Sequence, residues 1–294
     1  MPPEWGMLVV FNFFLAGIAS GAFFLAALAD IFGDERDREI ARVGYILPLP
    51  LVIIGLILLV LHLGSPLRFY RMLTNFKLLS PMSVGAWAWV VFFLFSLASF
   101  IMALGERERY RDTSIGGIAR TLEAAFSRRL IGAVGAPVGI FMASYQGVLL
   151  GATSLPLWAE ARLLGALFFT YAILTGAAAV YIVLASIGVD YGPADKLRKL
   201  SNWAIVVNLF FLLFLLVTLG TSPRATGTLG DLIGGIYGVF FWVFVVAVGL
   251  LIPLIMAVRS GIRGVAPSRP VLMAILILVG GFFFRFVIVM AGQA

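Results

Sequence analysis

The sequence predicts an all-α, polytopic membrane protein with eight transmembrane helices. Three observations carry that expectation. Of 294 residues, 62% are hydrophobic and only 12% charged, a balance that would leave a soluble domain with far too much exposed apolar surface. The apolar residues fall into eight continuous runs of about 20, the length that crosses a bilayer as a helix, whereas barrel strands would alternate. The basic residues collect between those runs.

In chain order the runs are Met7–Phe32, Val43–Leu63, Met82–Leu104, Leu130–Leu150, Arg162–Ile187, Leu200–Leu219, Ile236–Val258 and Val271–Met290. The segment before the first has no Lys or Arg, so it lacks a signal peptide's basic region and is expected to lead straight into helix one. Helix two ends in the polar stretch His62–Trp89. Its Ser65-Pro66 and Ser80-Pro81 steps interrupt helix, because proline has no N–H and restricts its predecessor. Helix one contains Leu15-Ala-Gly17-Ile-Ala19 and helix five Leu174-Thr-Gly176-Ala-Ala178. Four helices apart means the same direction of crossing. The expected architecture is therefore two four-helix bundles, residues 1–150 and 151–294. Gly17/Gly21 and Gly135/Gly139 are pairs that let helices approach closely.

Charge sets the orientation. The odd-numbered loops hold Arg36, Arg38, Arg42, Arg107, Arg109, Arg111, Arg120, Arg128, Arg129, Lys196, Arg198, Lys199, Arg259, Arg263 and Arg269. The even-numbered loops hold only Arg68, Arg71, Lys77, Arg162 and Arg224. The positive-inside rule places the odd loops in the cytoplasm and both termini outside, in the periplasm of an inner-membrane protein. The net charge of +7 thus serves the lipid bilayer rather than nucleic acid. With no cysteine and one histidine, the chain has no thiolate-held metal or iron–sulfur cluster and no bis-histidine haem; a His/Met haem pair stays formally open but has no supporting signal. If the protein takes part in redox chemistry, the electron carriers are expected in something it binds.

Polar residues inside apolar helices are the informative positions. Asn12, the adjacent Tyr145 and Gln146, and Arg285 each lie about five residues, ~7 Å, below the periplasmic end of their helices. His62 ends helix two in the loop above, with Arg68 close by. A quinone headgroup suits such a layer, since its two carbonyls need donors that Asn, Gln, Tyr and His supply. Each residue also has a plainer reading: an interhelical hydrogen bond for Asn12, an interfacial anchor for Tyr145, a helix cap for His62, snorkelling for Arg285. Asp30 is the acidic candidate for a proton route, against a solvated helix end. Asn208 reads as structural glue.

These residues sit in motifs that resemble the NrfD/PsrC family, the integral membrane subunit of polysulfide reductase and related complexes. The resemblance rests on Phe13-Phe-Leu-Ala-Gly17-Ile-Ala-Ser-Gly21, on His62-Leu-Gly-Ser-Pro66-Leu-Arg68-Phe with Ser80-Pro-Met-Ser-Val-Gly85-Ala-Trp87, on Ser144-Tyr145-Gln-Gly147 with Pro156-Leu-Trp158, and on Phe284-Arg285 through Gly292-Gln293. It implies two four-helix bundles and a menaquinone or ubiquinone site in the first, near the periplasmic face. It also implies a ferredoxin-like iron–sulfur partner on that face and a molybdopterin catalytic subunit beyond it, in a respiratory complex; coupling to proton translocation is left open by the sequence. The helix-one polar position, a histidine in some relatives, falls at Asn12. The rival functional classes are a secondary transporter and a structural anchor without a ligand.

Overall fold

The computed structural model describes residues 5–62, 70–74, 77, 80–189, 191–262 and 270–294. Eight helices are long and apolar enough to span a membrane. The first is Met7–Phe32. The second runs as Arg38–Ile46 and Pro48–His62, starting earlier than its apolar run because its first turns are charged and amphipathic. The third is Pro81–Gly105, the fourth Arg128–Gly151 and the fifth Leu164–Ser186. The sixth, Tyr191–Thr221, is the longest. The seventh begins at Gly235–Val239, widens to π-type turns over Phe240–Leu251, and ends with Ile252–Ile262. The eighth is Pro270–Ala291.

Helix starts follow local chemistry. Proline opens the third span, where its missing N–H needs no partner. Ser127 caps the fourth by accepting from the Leu130 amide over 3.2 Å. Glu108–Arg111 and Ser114–Ala125 are surface helices between the third and fourth spans; both are too short and too polar to read as spans.

The first and fifth spans are the most enclosed and pack on each other. A Cβ on Gly21 would strike the Ala172 carbonyl, and one on Gly176 would strike the Gly21–Ala22 backbone. Those glycines therefore allow backbone-to-backbone contact. Around this pair, one apolar cluster includes Ala16, Phe23, Val52, Trp89, Phe92 and Met142 of the first four spans. A larger cluster joins the last four spans and takes in Val9, Val10 and Phe13 of the first. Asn208 accepts from the Thr170 hydroxyl over 2.8 Å, tying the sixth span to the fifth as expected of glue.

Trp5 and Gln293 meet on one face. The Trp5 amide donates to Gln293 Oε1 (2.8 Å), and Gln293 Nε2 donates back to the Trp5 carbonyl (3.1 Å). Trp158 Nε1 donates to the Ile288 carbonyl beside them over 2.7 Å. This is called the terminal face below, and the opposite one the basic face.

Candidate functional site

Near the terminal face the first four spans bring polar groups together. Asn12 is buried, and its Nδ2 donates to the Gly55 carbonyl of the second span over 2.7 Å. Residue 55 is crowded even as glycine: a Cβ there would sit 3.3 Å from Asn12 Nδ2 and 3.3 Å from the Trp89 ring. One turn from Trp89 along the third span, Gly85 faces Tyr145, whose phenol fills the space of the absent side chain. The Tyr145 hydroxyl donates to the Pro81 carbonyl over 2.9 Å, and its ring stacks on Phe141 with centroids 5.7 Å apart. Asn12, Gly55, Trp89, Gly85 and Tyr145 thus form one continuous series of contacts.

Gln146 completes the layer. It is 2% exposed, yet neither its amide oxygen nor its nitrogen has a hydrogen-bond partner among the described residues. On the fourth span Gly139 faces the Ser20 carbonyl. The fourth span runs antiparallel to the first, so seven residues further on Gln146 reaches the level of Asn12 and Phe13. An unpartnered buried amide costs about 1–3 kcal/mol, which a ligand or an ordered water recovers.

The other candidates are placed differently. His62 lies seven residues beyond Gly55, about 10 Å along the helix; it overlooks the layer. Arg68 lies outside the described residues. Arg285 is fully buried where the first, fifth and eighth spans meet. Its Nε donates to the Phe13 carbonyl (2.9 Å) and its Nη1 to the Gly281 carbonyl (3.0 Å), and the Phe14 and Phe168 rings lie 5.9 and 5.8 Å from its guanidinium carbon. It does not snorkel. It approaches the first span on the Gly17 side, about 140° around the helix from Asn12.

Asp30 lies at the basic face in a half-buried ion cluster rather than at a solvated helix end. Arg128 Nε reaches both its carboxylate oxygens at 3.0 and 3.1 Å. Arg128 also pairs with Glu106, which in turn meets Arg42 at 3.3 Å and Arg38 at 3.6 Å. The Tyr45 hydroxyl, packed on Gly132, is buried nearby without a partner among the described residues. So are the hydroxyls of Ser96 and Ser99, on the third span between cluster and layer. Sequence reasoning missed Trp89, Gly55, Gly85 and the two serines. The spacing Gly85-x-x-x-Trp89 and the pair Ser96/Ser99 were the available signals, since i,i+3 and i,i+4 positions share a helix face.

The layer offers neutral donors, Asn12, Tyr145 and Gln146, with the Trp89 ring against Gly55 and the Phe141 ring stacked on Tyr145. Among the described residues no group of three or more His, Cys, Asp or Glu could hold a metal. Such a set suits a neutral ring with carbonyl acceptors.

A family model described as "Polysulphide reductase, NrfD" matches residues 1–294. A protein of Haemophilus influenzae named as a homolog of NrfD is 27% identical, the match spanning 98% of the present sequence and 94% of its own. NrfD of Escherichia coli is 26% identical, spanning 98% and 95%. The C subunit of polysulfide reductase from Wolinella succinogenes is 28% identical, spanning 98% and 94%.

Proposed function

The protein belongs to the NrfD polysulphide reductase family, and from that premise we propose that it is the quinone-binding membrane subunit of a respiratory oxidoreductase. The observation that carries this reading is the buried, unpartnered Gln146 amide, next to Tyr145 in the chain and level with Asn12. The residues fit the group. Gln146 Nε2 is free to donate to one carbonyl, and the Tyr145 hydroxyl can turn from the Pro81 carbonyl to another acceptor. Trp89 and Phe141 supply flat walls. A bound quinol supplies two electrons with two protons. Tyr145 and Asn12 orient its oxygens, and the Tyr145 hydroxyl is the layer's candidate for relaying a proton at those oxygens. His62 stands above, between the layer and the terminal face.

The basic-residue asymmetry supports a periplasmic terminal face in the inner membrane. An iron–sulfur subunit docked there would exchange electrons with menaquinol or ubiquinol, and a molybdopterin subunit would carry the substrate chemistry. One relative is itself named as a subunit of polysulfide reductase. Ser96, Ser99 and Tyr45 mark where internal water would connect the layer to the Asp30–Arg128–Glu106 cluster, the route open to proton translocation. The test is quinol turnover by the assembled complex carrying Asn12→Leu with Tyr145→Phe. A fall of tenfold or more is expected; unchanged turnover would overturn the site.

A further inference from the structure

Two of the five basic residues in the even-numbered loops come from loops about 60 residues apart, yet the fold sets them in one cleft. Arg162 precedes the fifth span and Arg224 follows the sixth. With Glu160, Thr218, Thr221 and Ser222 they line a half-open cleft of about 400 Å³ at the terminal face. Both arginines are exposed, and among the described residues neither is in an ion pair. Nothing in the quinone layer uses them.

The cleft's chemistry selects a ligand. The threonine hydroxyl protons are committed to their own helix: Thr218 donates to the Phe214 and Leu215 carbonyls, and Thr221 to the Val217 and Thr218 carbonyls. The two guanidinium groups and the Ser222 hydroxyl are then the available donors, and the guanidiniums' planar forks match phosphate oxygens in pairs. Against them stands one carboxylate, Glu160. The remaining charge is +1, which a phosphodiester balances.

The surface beneath the cleft selects the source. Thr221 lies on the same side of the sixth span as Val217, Leu213 and Phe210, at spacings of four, four and three residues. Those three are 54, 62 and 61% exposed. An exposed apolar stripe therefore runs from the arginines into the hydrocarbon depth, the path an acyl chain takes below its headgroup. We propose that the Arg162–Arg224 cleft binds the phosphodiester headgroup of an anionic phospholipid of the terminal-face leaflet, with an acyl tail along Val217, Leu213 and Phe210.

The experiment is native mass spectrometry of the full-length protein in detergent, titrated with phosphatidylglycerol, with diacylglycerol and with inorganic phosphate. Wild-type protein is expected to retain phosphatidylglycerol saturably and diacylglycerol at least tenfold less well. Arg162→Gln with Arg224→Gln should weaken phosphatidylglycerol binding about tenfold. Glu160→Gln, which leaves both arginines in place and removes the opposing charge, should strengthen it several-fold. If inorganic phosphate displaces the lipid at millimolar levels, the phosphate chemistry holds and free phosphate is a second source. Equal retention by wild type and the double variant, or no strengthening in Glu160→Gln, would overturn the proposal.

Discussion

The guanidinium of Arg285 occupies the space that a side chain on Gly17 would need. The glycine is the shelf on which a fully buried arginine rests while it bonds the Phe13 and Gly281 carbonyls. Gly17→Ala is therefore expected to destabilise the protein by about 1–3 kcal/mol, the usual cost of overpacking, and Gly17→Leu by more. Adding Arg285→Ala to Gly17→Ala should cost less than the two changes summed, because the first empties the space the second fills. Denaturant titration of the four proteins in detergent measures this; strict additivity would mean the two residues do not share the space.

Gln146 predicts opposite effects on stability and on binding. Gln146→Leu removes a buried amide that has no protein partner among the described residues, so the ligand-free protein should unfold at the same temperature or a few degrees higher. The same change should weaken quinone binding about tenfold, the value of roughly one good hydrogen bond in a buried site. A thermal melt with and without a quinone analogue reads both. A large fall in ligand-free stability would show that Gln146 holds the helices together instead.

The ion clusters at the basic face should differ in strength. Asp30 and Arg128 are mostly enclosed, with side chains 8 and 15% exposed. Asp30→Asn leaves the arginine facing one carboxylate fewer and should cost about 3 kcal/mol. The double change Asp30→Asn with Arg128→Gln should recover part of that loss. Lys196 joins the sixth span to Asp37 but is 56% exposed, so Lys196→Ala should lower stability far less than Asp30→Asn does. Equal effects at both sites would contradict the burial argument.

The spans were legible because bilayer thickness sets the length of an apolar run. Depth was legible too, since each helical residue advances a fixed 1.5 Å; this is how Asn12, Tyr145 and Gln146 were brought to one level. The side of the helix was not. Arg285 shares that depth, yet it lies across the first span from Gly55. His62 belongs to the same end of the membrane but stands about two turns beyond the layer. Gly55, Gly85 and Trp89 carried little signal, because glycine and tryptophan are ordinary in membrane helices; their meaning comes from what they touch on other spans. Asp30 read as a helix end because its partner Arg128 is 98 residues away. The π-type turns of Phe240–Leu251 depend on hydrogen-bond register, which an unbroken apolar run does not encode.

The proposed quinone headgroup site lies between Asn12, Tyr145 and Gln146. Its most direct test is saturable binding of a fluorescent hydroxyquinoline quinol analogue to the intact complex, wild type beside Tyr145→Phe. The phenol hydroxyl bonds only the Pro81 carbonyl among the described residues, so its loss should leave the fold intact. Saturable binding to wild type is expected, with about five- to tenfold weaker binding to Tyr145→Phe, the effect of one lost hydrogen bond. Equal affinity in the two proteins, or no saturable binding to the intact complex, would contradict it.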